Sequence, residues 1–130
     1  MSESLARKFF AAADSREPAQ LVTLLTEDVK WTFGNAPTTV GRDPIVQALT
    51  PFFEYVTRMD HRIVGIWQCG DCMTVETRVT YVDVFGRTFS YPGCDLLFLR
   101  DGLISDVRIF VDNHELFVPP STAASAAAAQ

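Results

Sequence analysis

Several large function classes need residues that this sequence largely lacks. Only 3 of its 130 residues are cysteine and only 2 are histidine. Cys69-Gly70-Asp71-Cys72 is a CxxC pair with no second pair to complete a four-thiolate zinc site. Its thiols flank an expected hairpin turn, not a helix start that would lower a thiol pKa. No glycine-rich phosphate loop, calcium loop or His-Glu-x-x-His pattern is present, so neither a metal nor a cofactor is expected. Basic residues are few: 11 against 16 acidic ones, a net charge of −5, with no basic cluster. That balance argues against a nucleic-acid partner or an anionic membrane surface. No apolar run approaches the ~18 residues that a membrane span needs. Arg7 and Lys8 precede Phe9, but neither a long apolar stretch nor a cleavage site follows. The expectation is a cytoplasmic protein with reduced thiols.

Apolar material, in contrast, is plentiful at 48%, enough for the core of one domain. That domain is expected over residues 1–118, followed by a low-complexity Ala/Ser tail over 119–130 that has little to bury. Leu5, Phe9 and Ala12, with Phe10 and Ala13 beside them, repeat at helical spacing over 2–14. A second helix is expected to begin at Pro18 with Leu21, Val22, Leu24 and Leu25 on its apolar face. A third opens at Asp43-Pro44 and carries Ile45, Leu49, Phe52 and Phe53 towards Met59, with a kink or break at Pro51. A short strand over 29–33 separates the second helix from the third.

The second half reads as an antiparallel meander over 62–69, 73–84, 88–99 and 103–112, rich in Val, Ile, Thr, Phe and Tyr. Turn signals separate the runs, and Asp101-Gly102 is a type I′ hairpin pair. The expected class is α+β, with three N-terminal helices on one side of a curved, mostly antiparallel sheet. Along these strands Val75, Thr77, Val79 and Tyr81 alternate with Glu76, Arg78, Thr80 and Val82, and Tyr91, Gly93, Asp95 and Leu97 with Pro92, Cys94, Leu96 and Phe98. Alternation alone leaves open which set faces the helices.

Glu27-Asp28-Val29 leading into Trp31-Thr32-Phe33, Gly41-Arg42-Asp43-Pro44-Ile45, and Asp101-Gly102-Leu103-Ile104 followed by Arg108 and Asp112 carry a family resemblance. The chain resembles the SnoaL-like branch of the nuclear transport factor 2-like superfamily, relatives of polyketide cyclases, ketosteroid isomerases and limonene epoxide hydrolases. The resemblance implies a cone-shaped, cystatin-like α+β barrel around one apolar pocket, and a homodimer. It turns Glu76, Arg78 and Thr80 into the pocket, with Tyr91, Gly93 and Asp95 on the next strand. Val107, Ile109 and Val111 would form the floor, and Trp31, Phe33 and Phe9 or Phe10 the walls.

No relative's catalytic set is complete. Phe33 stands where ketosteroid isomerases hold their base, Phe9 at the place of their tyrosine, and Thr80 and Ile109 where limonene epoxide hydrolases hold aspartates. Arg78 and Asp95 survive, one from each template. Asp95 lies among Cys94, Leu96 and Leu97, surroundings that raise a carboxyl pKa and suit it to proton transfer; the alternative is an ion pair with Arg78 across the neighbouring strand. Glu76 would be a second carboxylate beside Arg78, and Tyr91 a donor to a substrate carbonyl. His61 and His114 are read as surface or edge residues, His114 near the pocket mouth. The leading expectation is therefore a cofactor-free enzyme that isomerises, cyclises or hydrates a small apolar oxygenated compound. Asp95, Arg78 and Glu76 would be catalytic, with Tyr91, Trp31, Phe33, Thr80, Phe9, Val107, Ile109 and Val111 contacting substrate. The alternatives are a binding domain of the same fold without chemistry and a transport adaptor.

Overall fold

A computed structural model describes residues 2–121. The described chain runs α1 (Ser2–Asp14), α2 (Pro18–Val22), β1 (Leu25–Phe33), β2 (Thr39–Val40), α3 (Arg42–Tyr55), β3 (Val56–Cys69), β4 (Cys72–Asp83), β5 (Thr88–Arg100) and β6 (Leu103–Val111). A 3-10 turn at His114–Phe117 follows. Most of the expected tail, from residue 122 on, lies outside the described residues.

One six-stranded sheet has the order β2-β1-β6-β5-β4-β3. β1 runs parallel to β6, and every other neighbouring pair is antiparallel. The three helices cover one face of this curved sheet, the α+β arrangement that the sequence implies. Asp101 and Gly102, at φ 53° and 79°, form the expected β5–β6 turn, both in the left-handed region.

Element boundaries differ from the sequence pattern in three places. Leu24 and Leu25 do not extend α2. The helix stops at Val22, and Leu25 instead starts β1 opposite Ile104, where strand pairing gains more than one further turn of a five-residue helix. α3 starts at Arg42 and is capped by Gly41 at φ 96°, and it runs through Pro51 to Tyr55 without breaking. Pro51 and Gln47 both lie on the exposed side, where water can take the carbonyl that the proline leaves unpaired. β3 begins at Val56, six residues before the expected position, so Met59 and His61 belong to a strand and not to a helix end.

The core lies between the helices and the inner sheet face. Phe9, Leu21, Ile45, Met73, Leu97 and Ile104 are among its largest fully buried side chains. On β5 the side chains alternate strictly, with Leu97 buried and Leu96 only half-buried on the opposite face. Leu97→Ala is expected to lower unfolding free energy by about 2–5 kcal/mol, and Leu96→Ala by less than half as much. Urea unfolding of the two variants measures the difference, and equal losses would contradict this assignment of faces.

Candidate active site

Strand register decides what the pocket contains. Asp95 lies opposite Val75 on β4 and Ile109 on β6. Residues directly opposite one another in an antiparallel ladder share a face. The inner row of β4 is therefore Val75, Thr77, Val79, Tyr81 and Asp83, all buried. Glu76, Arg78 and Thr80 point the other way. Glu76 and Arg78 are exposed, and Thr80 meets Ser90 on the outer surface. The pocket orientation that the resemblance gives to these three is thus corrected, and so is the Arg78–Asp95 ion pair. Turning Arg78 inward would bury a guanidinium and expose Val79 and Tyr81.

The inner face holds a small chamber of about 40 Å³, walled by side chains that include Phe9, Trp31, Phe52, Met59 and Tyr81. Two titratable side chains reach it besides Tyr81: Asp95 and His61. Asp95 is 5% exposed and makes no hydrogen bond among the described residues. Burial pushes its pKa from 3.8 up to about 7, against the opposing charge of nearby His61.

His61, read from sequence as a surface or edge residue, is instead mostly buried: its side chain is 12% exposed. Asp14, the last residue of α1, grips it twice. One carboxylate oxygen lies 2.6 Å from the His61 Nδ1, and the other accepts the His61 backbone N–H at 2.9 Å. The carboxylate therefore keeps the proton on Nδ1 and leaves Nε2 for the chamber. Phe10 packs against the imidazole at 4.9 Å between ring centroids. The aspartate–imidazole pair joins residues 47 positions apart, which strand and helix periodicity do not reveal. Tyr81 is buried at 2% exposure, and desolvation raises its pKa well above the ordinary tyrosine value, so its hydroxyl remains a donor at neutral pH.

A chamber of this size holds little more than one water molecule. It adjoins a larger open groove of about 790 Å³, and Trp31, Phe33, Leu49 and Phe52 line both. Val111, Asn113, His114 and Phe117 complete the outer wall of the groove. Ile109 lines the inner chamber, whereas Val107 is fully buried and lines neither space, so it belongs to the core. Tyr91 faces inward at the rim, where its hydroxyl donates to Glu115 at 3.1 Å, and burial with the Glu115 charge pushes its pKa up to about 12. Cys69 and Cys72 face each other across the β3–β4 turn, away from this site. Among the described residues no group of three or more His, Cys, Asp or Glu side chains is placed to hold a metal.

Wall and entrance together define a nuclear transport factor 2-like cone with the Asp95 carboxyl and the His61 imidazole at its inner end. Residues 6–107 match the SnoaL-like domain, and the chain belongs to that family. Its fold is similar to that of a candidate polyketide cyclase from Xanthomonas campestris, at TM-score 0.78 and 23% identity over 87% of this chain and 91% of that one. It is also similar to a protein of ketosteroid isomerase-like fold from Catenulispora acidiphila in complex with trimethylamine, at TM-score 0.79 and 19% identity over 86% and 88% of the two chains. TerC, co-crystallised with polyporic acid, matches at TM-score 0.74 and 19% identity over 87% and 95%. No curated protein sequence matches significantly. No helix among the described residues is long and apolar enough to cross a membrane.

The raised Asp95 pKa has a consequence for stability. Between about pH 4 and 7 the folded protein keeps a proton on Asp95 that the unfolded chain has released, so folding stability contributed by this group falls as pH rises through that window. Below it the contribution is fully present, and above about pH 7 the loss levels off. Relative to Asp95→Asn, which does not titrate, the wild type is expected to lose on the order of 3–4 kcal/mol from pH 4 to pH 8. Denaturant unfolding of both proteins across this range measures it, and parallel pH curves would contradict the assignment.

Proposed function

We propose that the protein is a cofactor-free enzyme that moves a proton on a small apolar oxygenated ring compound, in an isomerisation, cyclisation or hydration. One observation carries this reading: a buried carboxyl that titrates near neutrality shares an apolar chamber with an imidazole held by a second carboxylate. A general base works best when its pKa lies near the working pH, and Asp95 meets that condition through burial alone. The ring of the substrate lies in the groove among Trp31, Phe33 and Phe52, and only its reacting end enters the chamber. Asp95 as carboxylate takes a carbon-bound proton, and His61 Nε2, steadied by Asp14, exchanges a proton with the substrate oxygen or a bound water. Tyr81 supplies a neutral donor. Arg78 and Glu76, on the outer face, take no part. The fold's complexes with trimethylamine and with polyporic acid, in two other proteins, support a small-molecule ligand.

The test is exchange of carbon-bound hydrogen for deuterium in a panel of small cyclic ketones, followed by NMR in deuterated buffer. The wild type is expected to accelerate exchange, with a rate that rises through about pH 7 to a plateau as Asp95 ionises. Asp95→Asn is expected to reduce it by about 100-fold or more. Exchange that is unaffected by that substitution would remove Asp95 from the chemistry. Phe33 and Ile109, apolar where relatives hold aspartates, favour a second reading, a binding domain of the same fold. Saturable binding with no exchange would establish that one.

The outer sheet face further supports a homodimer. It exposes Val64 and Phe110, each about half accessible, beside Arg62, Arg78 and Glu76, none of which forms an ion pair among the described residues. A face with apolar area and unpaired charges of both signs is self-complementary across a two-fold axis. Sedimentation is expected to show a dimer that Arg78→Glu weakens, and a 14.5 kDa monomer at every concentration would contradict it.

A further inference from the structure

Strand register separates the three thiols into a pair and a single group. Cys69 closes β3 and Cys72 opens β4, with only Gly70 and Asp71 between them. Across a two-residue hairpin loop, C-x-x-C spacing sets the two cysteines directly opposite one another. Cys69 and Cys72 are register partners and therefore share a face, the outer one, in the row of Thr74 and Glu76. Opposed residues in an antiparallel ladder have Cα atoms about 4.5 or 5.5 Å apart. Both separations lie within the roughly 4.4–6.8 Å that a disulfide spans. Cys69 is exposed, Cys72 is half-buried, and both are free thiols.

The hairpin tip is held in this pairing. Gly70 takes φ 58° at the first loop position, where a type II′ turn needs a positive φ and follows the twist of its strands. The Asp71 carbonyl accepts the Leu99 N–H of β5 at 2.8 Å. Gln68 donates from Nε2 to the Gly70 carbonyl at 3.1 Å and to the Ser2 hydroxyl at 3.2 Å. A tip tied to β5 and α1 keeps each thiol within reach of the other, so a reaction between them is intramolecular and fast without an acidic thiol. Cys94 has no such neighbour. It lies opposite Glu76, about 13 Å along the sheet from Cys72 at the rise of a strand. Burial, with the charges of Asp95 and Glu76, raises its pKa and disfavours the reactive thiolate.

We infer that Cys69 and Cys72 form a reversible redox site at the β3–β4 tip, which reacts with small disulfides of the glutathione type and closes an internal disulfide. The exposed Cys69, as thiolate, attacks one sulfur of the small disulfide. That S–S bond breaks, a mixed disulfide forms on Cys69, and one small thiolate leaves. Cys72, as thiolate, then attacks the Cys69 sulfur; the Cys69–Cys72 bond forms and the second small thiolate leaves. The two protons given up by the cysteines pass through water to the released thiolates. Two cysteines are thus oxidised by two electrons, and one small disulfide is reduced to two thiols. Closing a loop with two intervening residues removes little entropy from the unfolded chain, so the bond adds little to stability and free thiols reopen it. The site is separate from the chamber of Asp95 and does not depend on how that chamber is read.

The test treats the reduced full-length protein with oxidised glutathione at neutral pH, followed by acid quench, mass spectrometry and alkylation mapping after unfolding. The wild type is expected to lose two hydrogens, with Cys69 and Cys72 protected from alkylation and Cys94 alkylated. Fewer than about one chain in ten is expected to carry a glutathione adduct, because the neighbouring thiol displaces it. Cys72→Ser removes that thiol and is expected to hold at least about tenfold more adduct, on Cys69, whereas Cys94→Ser behaves as wild type. Excess reduced dithiothreitol is expected to restore both thiols. A wild type that stays unmodified, one that accumulates the adduct, or a bond that involves Cys94 or joins two chains overturns the inference. So does a Cys72→Ser protein with no more adduct than the wild type.

Discussion

The pairing of β4, β5 and β6 decides the chemistry of this protein. With Asp95 opposite Val75 and Ile109, a single register sends the Asp95 carboxyl into the chamber and the charged side chains of Glu76 and Arg78 outward. A slip of one residue would reverse both rows at once. It would expose Val75, Val79 and Tyr81 and bury Glu76 and Arg78, a change no core of this size can absorb. Burial of the inner row thus holds the register, and the register places the carboxyl.

The buried carboxyl then shapes its neighbours. Unpaired in an apolar chamber, it becomes a weaker acid and titrates where an enzyme at neutral pH can use it in either form. Pairing it with a guanidinium would have removed that property. The imidazole opposite is treated differently: Asp14 fixes its orientation and tautomer from the end of α1, and Phe10 packs against the ring. One group is left poised by isolation, and the other is held by a partner.

Much of the fold is legible in the sequence, because its signals are local. Apolar spacing defines α1, Asp101-Gly102 defines the last hairpin, and Val- and Ile-rich runs define the meander. The ends of α2 and α3 are less legible, since pairing of Leu25 with Ile104 and of Val56 with Asp83 takes residues that a helical stripe also claims. The site divides in the same way. Asp95 stands out as a carboxyl among apolar neighbours. The resemblance turns Arg78 and Glu76 towards it, yet the β4 alternation itself sets the apolar residues Val75, Val79 and Tyr81 on the opposite row, and burial follows that pattern and not the relatives' template. Starting β3 at Val56 would also have placed His61 on the Met59 row, facing inward. The Asp14 contact depends on tertiary packing and leaves no periodic trace.

Everything turns on the state of one side chain, and that state is directly measurable. Carbon-detected NMR titration of the Asp95 carboxyl in the labelled protein is expected to give a midpoint near pH 7. A midpoint near the ordinary value of about 4 would mean that the carboxyl is solvated or paired, and the proton-transfer account would not survive it.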